Sequence, residues 1–143
     1  MSQTTNGLAF TSAVVYISAD GSSWTEVSGH GASIAVEGGE RAVGKQNTFD
    51  GDVPIIKAGD RDSVRVTCRY VYTEETDDPF DVVRTQHETV GGALHVQWAP
   101  AGTSGWWYKT GAGILKKPGY PGGEAGSGEL IMSEFVVECA ELT

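Results

Sequence analysis

The sequence predicts a mainly β fold: a single-domain β-sandwich or partial barrel with one flanking α-helix at about residues 79–89 and a long extended arm. Three observations carry this. Short apolar or alternating runs recur between Gly, Pro and Asp turn signals, which is the pattern of an all-β domain. Only one segment has both a helix start and a helix stop. The stretch from Glu37 to Asp60 (EGGERAVGKQNTFDGDVPIIKAGD) has strand-like sequence on either side yet no sustained period of its own.

The elements follow in order. Ala13–Ser18 is an apolar run closed by Asp20-Gly21, a hairpin signal, and Trp24–Val27 returns from it. Ser33–Glu37 reads as a further strand. Beyond the arm, Ser63–Glu74 alternates: Val64, Val66, Cys68, Tyr70 and Tyr72 fall on one face, and Arg65, Thr67, Arg69 and Val71 on the other. The first set is assigned to the core. The helix starts at Asp78, a natural N-cap, with Pro79 at its first position and Asp81 at the positive end of its dipole. Phe80, Val83 and His87 recur at helical spacing, His87 as a packed or half-exposed residue, and Gly91-Gly92 stops the element.

Ala93–Trp98 places Leu94, Val96 and Trp98 together. Pro100-Ala101-Gly102 makes a turn to a strand at Trp106–Thr110, and Ala112–Lys117 is another short strand. Residues 118–129 form a glycine-rich loop. The last strand, within Leu130–Ala140, puts Ile131, Phe135, Val137 and Cys139 on one side and Met132, Glu134, Val136 and Glu138 on the other. No repeat or second domain interrupts the 143 residues, a length that buries a real core.

Net charge is −9, from 10 basic and 19 acidic residues. Such a balance opposes nucleic-acid binding by phosphate neutralisation, which needs clustered Lys and Arg. No apolar run approaches the ~18 residues of a membrane span, and MSQTTNGLAF lacks the basic and apolar regions of a signal peptide. A cytosolic site of synthesis is expected, where Cys68 and Cys139 stay as buried free thiols. No catalytic residue stands out: no serine has a GxSxG context, and His30, His87 and His95 are scattered. Asp50-Gly-Asp52 and Asp60-Arg-Asp62 do not continue into a calcium loop, so no metal is assigned. Gly122-Gly123-Glu124-Ala125-Gly126 lacks the P-loop lysine, and no cofactor is expected. The chain reads as a non-enzyme. Trp106, Trp107 and Tyr108 are the one constellation suited to a ligand, Trp106 and Tyr108 sharing a face as a sugar platform, although core and subunit interface is the preferred assignment.

A structureless segment of this length is uncommon inside a compact domain, and a disordered linker would lack its Val43, Phe49, Val53, Ile55 and Ile56. The segment is read as an arm that completes its folding against another subunit, with Arg41 beside those apolar residues in the contact. Arg65 and Arg69 share a strand face from which they can pair with acids across a subunit boundary. These features point to an assembly protein.

The order of segments resembles the major tail tube proteins of long-tailed, siphovirus-like bacteriophages. The residues that carry the resemblance are VYISADGSSWTEVSGHGASIAVEGGERAVGKQNTFDGD, VRVTCRYVYTEETDDPFDVVR, LHVQWAPAGTSGWWYKTGAGIL and YPGGEAGSGELIMSEFVVE. The resemblance covers about Val14 to Leu142. The resemblance implies homohexameric rings stacked into a hollow tube, a closed inner barrel, and an arm reaching the adjacent subunit or ring. It implies the tape-measure, tail terminator and tail-tip or baseplate proteins as partners, a place in the virion tail after assembly in the host cytoplasm, and no membrane. DNA would pass without specific binding through an acidic lumen, for which Glu37, Glu40, Glu134 and Glu138 are the candidates. Two alternatives stand beside it: a capsid decoration or head–tail joining protein, and a carbohydrate-binding module.

Overall fold

The computed structural model describes residues 2–126 and 128–143. Ser127, within the expected loop 118–129, lies outside the described residues. The strands are β1 (Val14–Ser18), β2 (Trp24–Glu26), β3 (Gly31–Gly38), β4 (Arg41–Gln46), β5 (Ile55–Arg61), β6 (Val64–Val71), β7 (Ala93–Ala99), β8 (Tyr108–Lys117) and β9 (Met132–Cys139). The helix α1 (Pro79–Glu88) falls between β6 and β7. Seven strands form one antiparallel sheet in the order β2-β1-β7-β8-β9-β6-β3, and β4 pairs with β5 in a separate two-stranded sheet.

The two edge strands of the large sheet are neighbours in sequence. Only residues 27–30 join β2 to β3, so the sheet has to curl until its edges approach. The link is held on both sides: the Val27 amide donates to the Val15 carbonyl (2.8 Å) and the Val71 amide to the His30 carbonyl (2.7 Å). The edges do not pair strand to strand, and the result is a sandwich-like fold without a closed barrel.

Alternation decides what the sandwich encloses. Ile17, Val66, Cys68, Tyr70, Leu94, Val96, Phe135 and Val137 are buried, as the pattern predicts. The helix adds Phe80 and Val83, and Phe80 lies edge-on to Tyr72 at 4.9 Å. Asp78 is the N-cap residue, but its carboxylate accepts from the Thr73 hydroxyl rather than from a helix amide. His87 is exposed, not packed.

Three expectations are corrected. Segment 37–60 is not structureless, because most of it is the β4–β5 hairpin, and Glu37 already belongs to β3. The two strands expected at 106–110 and 112–117 are one strand, β8, which accommodates a left-handed Gly111 (φ 64°). Ile131 precedes β9 and is 52% exposed instead of joining the core.

Candidate assembly surface

Strands β3 and β6 pair from Gly31↔Tyr70 to Gly38↔Val64, and the chain does not turn back at the end of that ladder. It runs on into β4 and returns through β5, so β3–β4 and β5–β6 make one long ribbon with a bend. The bend is at Gly38 and Gly39, whose φ values of 82° and 74° are left-handed. A β-carbon on Gly38 would stand 2.3 Å from the Ser63 carbonyl oxygen, so only glycine lets the two backbones meet there. Past the bend the ladder resumes. The Gly39 amide donates to the Ser63 carbonyl (3.0 Å) and the Asp62 amide to the Glu40 carbonyl (2.8 Å). Arg61 pairs with Glu141 at 2.9 Å, and the Arg41 guanidinium donates to the Gly59 carbonyl at 2.9 Å.

Every strand residue of this hairpin is exposed. The cross-strand pairs Val43↔Ala58 and Lys45↔Ile56 share one face, and Gly44↔Lys57 and Gln46↔Ile55 share the other. The first face is therefore the more apolar. Val43 is 54% and Ile56 57% exposed, and Phe49 and Val53, in the connecting tip, stand out in solvent. Burying such side chains is worth about 1.5–3 kcal/mol each, and within its own chain the hairpin does not collect that energy. All six arm residues named from the sequence (Arg41, Val43, Phe49, Val53, Ile55, Ile56) thus lie together on an exposed element.

Arg65 and Arg69 lie elsewhere, and they stand beside the expected lumen acids. On the outer face of the large sheet Glu37, Arg65 and Glu138 occupy one cross-strand row, and Arg69 is directly opposite Glu134. Arg65 and Lys116 each approach Glu138 to 3.8 Å, from two sides, and the Ser63 hydroxyl donates to its carboxylate at 2.8 Å. The face is a ladder of alternating charge. Glu40 is apart from it, at the root of the hairpin. Sequence reasoning missed Ser63, Lys116 and Glu141 in these contacts, which depend on register between strands distant in the chain. The Gly38-Gly39 pair was the visible signal for the bend.

The other motifs stay separate. Trp106 precedes β8 and is 81% exposed. Trp107 points the other way from Tyr108, packing against Tyr16 at 5.9 Å, and Tyr108 tilts against Trp98 at 5.9 Å. Among the described residues no ring contact joins Trp106 to Tyr108. His30 lies 3.8 Å from Asp78, His95 is under the edge of Trp24, and the histidines do not converge. Among the described residues no group of three His, Cys, Asp or Glu side chains is placed to hold a metal ion. No helix among them is long and apolar enough to cross a membrane. Cys68 and Cys139 are both free and buried, and burial pushes the Cys68 thiol up to about 12.

The fold is shared with solved structures. The chain is similar to one in the sheath–tube complex, in its extended state, of PVC, an extracellular contractile injection system. The TM-score is 0.65 at 12% identity, covering 97% of this chain and 91% of that one. It is similar also to a chain of the 6-fold symmetrised baseplate of the anti-feeding prophage (AFP), with a TM-score of 0.67 at 8% identity, covering 99% and 96%. At such identities the likeness is one of fold. No protein-family model and no curated protein matches the chain.

Proposed function

We propose that the chain is a tail-tube subunit: copies close into hexameric rings, and the rings stack into the hollow tube of a phage or phage-like tail. The observation that carries the reading is the β4–β5 hairpin, a two-stranded sheet exposed on both faces with apolar side chains in solvent. An isolated hairpin is marginally stable in water, so this one is built for a partner. The end-to-end likeness to chains of a sheath–tube complex and of a 6-fold baseplate supports the same reading. Ring closure would also pair the free edges of β2 and β3, which otherwise expose unsatisfied backbone groups.

In this tube the partners are further copies of the chain, a tape-measure protein inside, and terminator and tail-tip or baseplate proteins at the ends. Subunits assemble in the host cytoplasm and end in the virion tail, where DNA passes without being bound. Arg65, Arg69 and the carboxylates Glu37, Glu134 and Glu138 lie on a face assigned to the lumen or to a subunit boundary. The chain has no catalytic role.

The test is negative-stain electron microscopy of the purified protein beside a version in which residues 42–60 are replaced by an Asn-Gly turn. Arg41 and Arg61 are cross-strand partners, so a two-residue turn closes them. Wild-type rings with six-fold end views, or tubes, support the reading; a shortened chain that folds but does not stack completes it. Tubes of normal length from the shortened chain refute the role of the hairpin. A wild-type monomer that binds glycans through exposed Trp106 would favour the carbohydrate-binding alternative instead.

A further inference from the structure

We infer that the hairpin docks by one chosen face, that of Val43, Ile56 and Ala58, onto the acidic body of a second copy of this chain. The contact is then apolar at its centre and held at its rim by lysine and arginine. The inference rests on the tube reading for the existence of an assembly, but it concerns which surfaces meet.

Charge separates the hairpin from the rest of the chain. Residues 41–61 hold four of the ten bases (Arg41, Lys45, Lys57, Arg61) and only three of the nineteen acids, two of them at the tip. The remaining residues carry six bases against sixteen acids. A mildly basic element therefore projects from a strongly acidic body, and the body of another copy is its complement. Opposite potentials steer encounter and fix orientation. The same body repels its own kind, which disfavours contacts that leave the hairpin out.

Sidedness selects the face. Val43 and Ala58 are directly opposed, and Ile56 faces Lys45, whose aliphatic stem extends the apolar strip while its ammonium reaches the rim. The other face offers Ile55 among Gly44, Gln46 and Lys57. Hairpin and body are different surfaces, so unless two copies exchange hairpins reciprocally the contact is head-to-tail. Such contacts propagate as rings or open filaments rather than stopping at a dimer.

A photo-crosslinking residue placed at position 43 or at position 46 tests this, in mixtures of isotopically light and heavy full-length chains. Position 43 should give links between copies, mapping outside residues 41–61 of the partner, several-fold more than position 46, since the two positions lie on opposite faces of the hairpin and only one face meets the partner. Lys45→Glu with Lys57→Glu should lower the yield. So should raising salt from ~0.1 to ~1 M, where the screening length falls from about 10 to about 3 Å. Equal yield from both positions, links within one chain only, hairpin-to-hairpin links, or indifference to salt would each overturn the inference. Electron microscopy of the same samples separates the two proposals. Rings or tubes without links from position 43 sink the docking face and leave the tube; links without rings or tubes do the reverse.

Discussion

Substituting Gly38 by Ala sets two costs against each other, and their sizes decide what the chain does. The residue is left-handed (φ 82°), and its new β-carbon would lie 2.3 Å from the Ser63 carbonyl oxygen. The backbone conformation alone costs an alanine about 1–2 kcal/mol, and the contact with main chain adds to it, for roughly 3 kcal/mol. Against this stands what ties the hairpin down. Two backbone hydrogen bonds, from Gly39 and Asp62, contribute about 0.5–1.5 kcal/mol each. The exposed Arg61–Glu141 pair adds up to about 1 kcal/mol. Anchorage is therefore about 2–3 kcal/mol, no larger than the strain. The chain should relieve the strain by freeing the hairpin at its root and leave the sandwich folded. Amide exchange at Gly39 and Asp62, slowed about 30- to 100-fold in the native protein by that anchorage, should lose this protection in Gly38→Ala. The melting temperature should fall by roughly 7–10 °C, because freeing the hairpin gives up that anchorage at about 3 °C per kcal/mol for a chain of this length. Gly51→Ala, with no atom within 4 Å of the added carbon, is the control and should change neither. Unchanged protection at Gly39 and Asp62 would refute the bend. A fall of roughly 10 °C with protection retained would show the ribbon to be stiffer than its bonds imply.

Other expectations follow from the core and the turns. Phe135→Ala should cost about 3–5 kcal/mol in a denaturant titration, because Phe135 is fully buried against Tyr70. Burial raises both Cys68 and Tyr70 to about 12, so above pH 9 the unfolded chain releases protons that the folded chain keeps. Stability then falls as pH rises, by about 1.4 kcal/mol per unit for the thiol alone, and Cys68→Ala should flatten that slope in urea unfolding between pH 9 and 10.5. Asp20 has the opposite sign. Its carboxylate accepts from the Ser23 and Ser22 amides and the Ser18 hydroxyl, which holds it well below its ordinary 3.8. Its contribution is present above about pH 4 and fades as pH falls, and an acid melting series should be shallower for Asp20→Asn than for wild type.

The sandwich was legible because its central strands bury one face. Val64, Val66, Cys68 and Tyr70 announce themselves by a period of two, and so do Leu94, Val96 and Trp98. The hairpin was not, for the same reason inverted. Neither of its faces packs on its own chain, so β4 and β5 carry no alternation: Ile55 and Ile56 are adjacent and point to opposite sides. Its register is inherited from the β3–β6 ladder across the bend and not from local pattern. Segment length and misplaced apolar residues still drew attention to the stretch that holds β4 and β5, whose strand residues are exposed. The outer charge ladder was invisible as a set, since Glu37, Arg65, Lys116 and Glu138 come together only through strand order. Sequence could list the acids and, separately, Arg65 and Arg69, but not that they stand beside one another.

That pairing changes what an acidic lumen would require. If the outer face lines the proposed tube, Glu37, Glu134 and Glu138 do not present bare negative charge, because Arg65, Arg69 and Lys116 stand among them. Such a face repels DNA weakly and binds it weakly, which suits passage: phosphates find no unpaired cluster of bases to neutralise. The sensitive perturbation is then loss of balance in either direction. Glu134→Lys with Glu138→Lys leaves Arg69 and Lys116 without their acids and Arg65 with Glu37 alone, in every copy around the ring. DNA passage should slow, and the defect should be relieved by salt, since phosphate binding by Lys and Arg weakens steeply with ionic strength. The fold should survive, because ion pairs as exposed as these are worth no more than about 1 kcal/mol each. Ejection at the wild-type rate in low salt, from tubes of normal appearance, would remove this face from the lumen. The acids that line the passage would then have to be sought elsewhere on the chain.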